Sequence, residues 1–168
     1  MAAGFTPQYI AVQQSMYSAC GFACSEPAAE PESAEYGAYT FKINTHTVKF
    51  RVAKITPTKT GQFVTLWKRH GKGPIQPFDL ADAIDFVIIH TITDTHAGQF
   101  IFPKSVLYEQ GIFSGNNIEG KRAIRVYPPW DIAANRQAQK TQQWQLNYFI
   151  ALDKGKAIDK SSLKKLLS

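Results

Sequence analysis

Tyr9, Val12, Met16 and Cys20 recur three or four residues apart, which sets one apolar stripe on a helix over 7–20. Thr6 followed by Pro7 supplies an N-cap and a proline for the first turn, and Gly21 stands where a helix ends. Residues 25–35 (SEPAAEPESAE) are polar, acidic and proline-bearing, so they predict a loop. The period then changes from that of a helix to that of a strand. Strands are expected over 38–44 and 47–55; in the second, Val48, Phe50 and Val52 alternate with Lys49, Arg51 and Ala53. A turn at 56–61 leads to a strand over 62–69, and 70–78 is a Gly/Pro-rich loop. Asp79 caps a short turn or helix to residue 85. Residues 86–93 (FVIIHTIT) are β-branched and continuous, the mark of a strand buried on both faces.

Beyond it, 97–102 reads as a strand and 103–110 as a helix that opens on Pro103 and ends before Gly111. Residues 114–117 (SGNN) are a turn, 121–127 a strand stopped by Pro128-Pro129-Trp130, and Asp131 can cap a helix from 132 to about 145. A last strand at 148–152 and a basic amphipathic helix at 160–167 complete the pattern. One echo recurs within it. Residues 55–63 (ITPTKTGQF) and 92–100 (ITDTHAGQF) match at six of nine positions, each at the tip of an expected hairpin. They read either as a duplicated recognition turn or as two turns drawing on the same favoured residues.

The order of elements predicts an α+β protein with an α/β-type core, a mixed sheet flanked by helices. At 168 residues, one domain is expected, with 36–150 as its core, flanked by 1–35 and by a basic helix in 153–168. Apolar residues at 44% suit a globular chain, and no apolar run reaches the roughly 18 residues of a membrane span. The first residues lack the basic start of a secretory leader, so a cytoplasmic setting is expected. Cys20 and Cys24 are too few for a disulfide framework and lack the further ligands of a zinc site, so no cofactor is expected.

Net charge is +6, but the layout says more. Residues 1–35 carry four acids and no base, and 36–78 carry eight bases and no acid. Asp79, Asp82, Asp85 and Asp94 follow alone, and bases dominate the rest. An acid-free basic hairpin suits a polyanion, because several cations on one surface displace its counterions. Arg51, Lys54, Lys59, Lys68 and Arg69 are its candidate phosphate contacts, with Gln62 beside them and Phe63 and Trp67 as stacking faces. A second cluster holds Lys121, Arg122, Arg125, Tyr127 and Trp130, with Lys140 on a glutamine-rich helix whose amides can read base edges. The plain alternative is that both clusters solubilise exposed faces. The D-x-x-D-x-x-D run at 79–85, with Glu32 and Glu35, offers carboxylates for Mg²⁺, though caps and turns use acids in the same way. No nucleophile elbow, P-loop or dinucleotide glycine motif is present.

The blocks AKITPTKTGQFVTLWKR at 53–69, PFD at 77–79, GQFIFPKSVL at 98–107, GKRAIRVYPPWD at 120–131 and KTQQWQ at 140–145 resemble the MepB family. This is a group of small bacterial proteins named for a gene beside a multidrug efflux pump. The resemblance covers about 36–150. It implies a core similar to restriction-endonuclease-like folds and a nucleic-acid partner, and it does not imply transport. Nucleases of that class need an Asp and an acidic-x-Lys on adjacent strands to hold Mg²⁺. Here 47–69 contains no acid, and Gln62 or Val64 stands where a ligand is wanted. The expectation is therefore a nucleic-acid-binding module without a standard metal site. A nuclease with displaced carboxylates and Mg²⁺, or a module for a protein or a small anion at the YPPW stretch, are the alternatives.

Overall fold

The computed structural model describes residues 5–168; the first four, part of the stretch that lacks a leader's basic start, lie outside it. In chain order it holds α1 (Pro7–Ala19), β1 (Ala28–Ala29), a 3-10 turn (Ala34–Tyr36), β2 (Tyr39–Ile43), β3 (His46–Val52) and β4 (Lys54–Ile55). There follow β5 (Gln62–Thr65), β6 (Trp67–Lys68), β7 (Gln76–Pro77), β8 (Phe86–Ile92), β9 (Ala97–Pro103) and α2 (Lys104–Glu109). β10 (Ala123–Val126), α3 (Arg136–Gln145), a second 3-10 turn (Leu146–Tyr148), β11 (Phe149–Ala151) and α4 (Lys160–Leu166) close the chain.

The fold is α+β. Six strands form a mixed sheet in the order β1-β2-β3-β8-β9-β11, in which β3 and β8 run parallel and every other neighbour is antiparallel. A smaller sheet, β10-β5-β4, and a β6–β7 pair lie outside it. β8 is central and buried on both faces, as its continuous stretch from Phe86 to Ile89 requires. One face of the sheet packs Val48, Phe50, Ile88 and Ile101 against Ile10 and Tyr17 of α1 and Leu163 of α4. The other packs Val87, Ile89, Phe100 and Phe102 against Val64 of β5, Val126 of β10 and Leu107 of α2. A glycine lets β11 close the sheet: a Cβ on Gly98 would stand 2.1 Å from the Phe149 ring and 2.9 Å from the Ile150 carbonyl.

Three boundaries differ from the sequence pattern. The strand expected over 62–69 is two strands, because Leu66 turns its backbone N–H to Arg122 and Trp67–Lys68 pair instead with Gln76–Pro77. The helix expected from 132 begins at Arg136, because the Asn135 side chain accepts from Ala138 N–H at 2.8 Å and does the capping assigned to Asp131. The strand expected over 47–55 breaks after Val52 into β3 and β4, which join different sheets. The segment 79–85, expected as a short turn or helix, is a turn, with the Asp79 carboxylate accepting from Ala81 N–H.

A polar chain crosses the core between α1 and the sheet. The Tyr17 hydroxyl donates to Gln99 Oε1, and Gln99 Nε2 lies 3.1 Å from His90 Nδ1. Since the amide donates, Nδ1 must accept, so His90 is held neutral. Burial lowers its pKa to about 4 and pushes the Tyr17 hydroxyl well above its ordinary range. Between pH about 6.5 and about 4 the unfolded chain therefore binds a proton that the folded chain refuses. Stability is full above that window and falls by up to about 3 kcal/mol as pH drops through it. Urea melts of the wild type across this range should show that loss, and His90→Gln, which cannot take the proton, should show less of it.

Candidate nucleic-acid interface

The smaller sheet has an inner and an outer face. Gln62 and Val64 of β5 and Ile124 and Val126 of β10 turn inward and are buried, while Phe63, Thr65, Ala123 and Arg125 turn outward and are half-buried. Pairing places Lys54 opposite Phe63 and Phe63 opposite Arg125, one row across all three strands. α3 lies along the open edge of β10. Gln145 accepts from Tyr127 N–H and donates to the Arg125 carbonyl, both at 2.9 Å, so its amide replaces a missing strand. Gln142 Nε2 reaches the Pro128 and Asp131 carbonyls at 3.0 and 2.9 Å. Gln145 closes backbone at a sheet edge, a demand that a side chain with both donor and acceptor meets, while Gln142 serves as donor alone.

Between the outer sheet face and α3 lies a groove of about 410 Å³. Phe63, Tyr127 and Trp144 supply its rings, Lys121 and Arg125 its cations, and no carboxylate lines it. The α3 residues Gln137, Ala138, Thr141, Trp144 and Gln145 face it at helical spacing. Arg125 lies 5.6 Å from the Phe63 ring centre, and its Nη1 is 3.5 Å from the Gly61 carbonyl. Gly61 has φ +85° and a Cβ there would meet the Tyr127 ring at 2.7 Å, so the turn can pass the groove's end only as glycine.

The basic residues named from the sequence divide into two sets. Lys54, Lys59, Arg69, Lys121 and Lys140 are exposed, and Arg125 is half-buried in the groove. Arg51 is fully buried. The face of β3 opposite Val48 and Phe50 is half-buried at Thr47 and Lys49 and closed over at Arg51, where β5 and Glu30 meet it. Arg51 there pairs through both terminal nitrogens with Glu30, Nη2 at 3.2 Å from Oε1, and its Nε donates to the Thr65 carbonyl. Lys49 joins the same carboxylate at 3.4 Å. Lys68 sits 2.8 Å from both oxygens of Asp82, and Arg122 reaches Glu119 and the Ile75 carbonyl, each at 3.2 Å. The hairpin that lacks acid in sequence is thus partly neutralised in space.

The other named residues also sort by packing. Gln62 is buried, and both ends of its amide lack a partner. Trp67 lies beneath Arg69, 5.4 Å from its guanidinium. Trp130 stacks on His96 at 5.0 Å and meets Phe149 edge-on, so the YPPW stretch is a packed corner more than a free aromatic face. Lys140 lies on α3 outside the groove lining. The two echo turns belong to different sheets, yet Thr93 of one shares a cavity of about 300 Å³ with residues 57–62 of the other and with Asp131. Burial raises the Asp131 pKa against the lowering effect of the Gly61 N–H.

The aspartates at 79–85 are occupied with closure: Asp82 holds Lys68 and Asp79 N–H, and Asp85 accepts from Thr47 N–H at 2.7 Å. Among the described residues no three His, Cys, Asp or Glu side chains gather to hold a metal ion. Sequence reasoning missed Trp144, Tyr36 and Glu30. Trp144 had a signal, since it falls one turn after Lys140 in the glutamine-rich helix; Glu30 had none, being one acid among four in a loop.

These features define a class: a small α+β protein whose outer sheet and one helix enclose a basic, aromatic groove. The family model described as MepB-like matches residues 30–151. A solved structure titled "Crystal Structure of MepB" is 34% identical, with a TM-score of 0.76 over 88% of this chain and 97% of that one. None of the curated proteins compared with the chain matches it. The chain belongs to the MepB-like family.

Because Arg51 is buried, its partner matters more to stability than to ligand. Glu30→Ala leaves a guanidinium without its counter-charge and should cost about 3 kcal/mol or more. Urea denaturation checks this: a midpoint close to wild type would mean the pair is not needed.

Proposed function

We propose that this protein is a nucleic-acid-binding module that holds its ligand in the groove between the outer sheet and α3. The carrying observation is the groove's lining, in which Lys121 and Arg125 meet three aromatic rings with no carboxylate present. Cations on a concave, acid-free surface attract phosphates, and the rings accept bases. Exposed Lys54 and Lys59, on β4 and the turn that follows it, extend the positive surface past the groove. The mixed central sheet, with its antiparallel β2–β3 and parallel β3–β8 neighbours, supports the endonuclease-like scaffold that belongs to this reading.

Binding without cleavage fits this arrangement. Hydrolysis assisted by Mg²⁺ needs clustered carboxylates beside the phosphate. Glu30 and Asp82, two acids beside the basic hairpin, are engaged with Arg51 and Lys68, and a third, Asp85, accepts from Thr47 N–H.

Fluorescence anisotropy with labelled oligonucleotides tests the reading. The logarithm of the binding constant should fall linearly with the logarithm of salt between about 50 and about 200 mM. Lys121→Ala and Arg125→Ala should each reduce that slope by about one, as expected for a lost phosphate contact. Lys140→Ala, outside the groove, should leave it unchanged. Absence of binding at the lowest salt would overturn the proposal.

A further inference from the structure

The outer sheet face carries an ordered row of charges and rings. Lys54 Nζ lies 4.6 Å from the centre of the Tyr36 ring, Tyr36 lies 6.2 Å from Phe63, and Arg125 lies 5.6 Å from Phe63. The series runs cation, ring, ring, cation. It follows the register row that sets Lys54, Phe63 and Arg125 side by side, because directly opposed residues of antiparallel strands share a face. The inward neighbours Val64 and Ile124 are in the core, so the row cannot rotate away from the groove. Glu35 is an acid next to this surface; it stands at the Tyr36 end, where burial, and secondarily its charge, raise the tyrosine pKa, and it does not line the groove.

From this geometry, and resting on the nucleic-acid reading above, we propose that the groove selects single-stranded nucleic acid. Duplex reading places a protruding helix or ribbon in a groove about 12 Å wide, and paired bases keep their faces stacked on each other. Here Lys121 and Arg125 line a concavity with the rings of Phe63, Tyr127 and Trp144, and only an unpaired base could enter it to meet those rings. A volume of about 410 Å³ admits individual bases, whereas a duplex could touch only the rim. Arg125 contributes twice: its guanidinium can stack beside Phe63 and pair with a phosphate. The selectivity is for strandedness rather than sequence, since every base offers a face to a ring.

The test compares one labelled mixed-sequence strand of about twelve nucleotides, within the span of known single-strand sites, with the duplex it forms with its complement. Both are titrated with the full chain at the same salt. The single strand should bind about tenfold or more tightly than the duplex. Phe63→Ala should weaken single-strand binding about tenfold, the loss of one stack. It should leave the salt slope unchanged, since no phosphate contact is removed. Phe63→Tyr should restore binding, and Phe63→Leu, which keeps apolar bulk without a π-face, should not. Circular dichroism and melting confirm that each variant is folded. Equal or tighter binding of the duplex, or undiminished single-strand binding by a folded Phe63→Leu, would overturn this inference while leaving the nucleic-acid reading in place. Failure to bind either probe would remove both.

Discussion

A guanidinium with no exposed surface sits between the two sheets, and much of the chain is arranged to satisfy it. Arg51 lies on the face of β3 that the smaller sheet covers. Unpaired, a charge there would be prohibitive; paired and fully hydrogen-bonded, it can be held. Glu30 supplies the counter-charge, and it can do so only because β1 pairs with β2 and brings the acidic loop alongside. The Thr65 carbonyl supplies a further partner from β5. One residue thus ties the N-terminal segment, the central sheet and the outer sheet into a single arrangement.

This arrangement also sorts the charge of the protein. The cations at the base of the hairpin are spent internally: Lys49 and Arg51 on Glu30, Lys68 on Asp82. Those at its tip and in and before β10 are not, and Lys54, Lys59, Lys121 and Arg125 surround the outer face. The division has a physical origin. Acids contributed by segments before and after the hairpin reach its buried base but not its exposed tip. What remains free is positioned beside aromatic rings by the β4–β5–β10 register, which is why charge and stacking surface coincide there.

The polar groups of the core are satisfied unevenly. Tyr17, Gln99 and His90 form a hydrogen-bonded chain, and the His90 Nε2–H at its end has no partner. Gln62, the counterpart of Gln99 in the echoed turn, is equally buried yet unpartnered. Two turns of nearly the same sequence have thus come to different environments, one in the central sheet and one in the outer sheet. The echo reflects turn chemistry that both hairpins require, with a glycine after the tip, more than a shared set of contacts.

Much of the architecture is legible from local pattern. The N-capped helix at Pro7–Ala19, the doubly buried β8, the β9–α2 junction at Pro103 and the terminal helix at Lys160–Leu166 follow from periodicity, caps and turn residues, which act over a few positions. The basic character of the hairpin and of the Lys121–Arg125 segment is equally plain in the chain, as is the resemblance to the MepB family. Pattern could not say which faces of the strands are covered twice, because alternation records that one side is polar without recording what packs against it. For that reason Arg51 read as a surface cation, Gln62 as a ligand contact and Trp130 as a stacking face. Glu30 and Trp144, distant in sequence from the hairpin, gain their roles only when β1 and α3 dock. Local pattern carries most elements, the charge and the family; packing between segments settles where strands break, which charges are neutralised and which remain beside the rings, since ion pairing and burial depend on distances that no local pattern encodes.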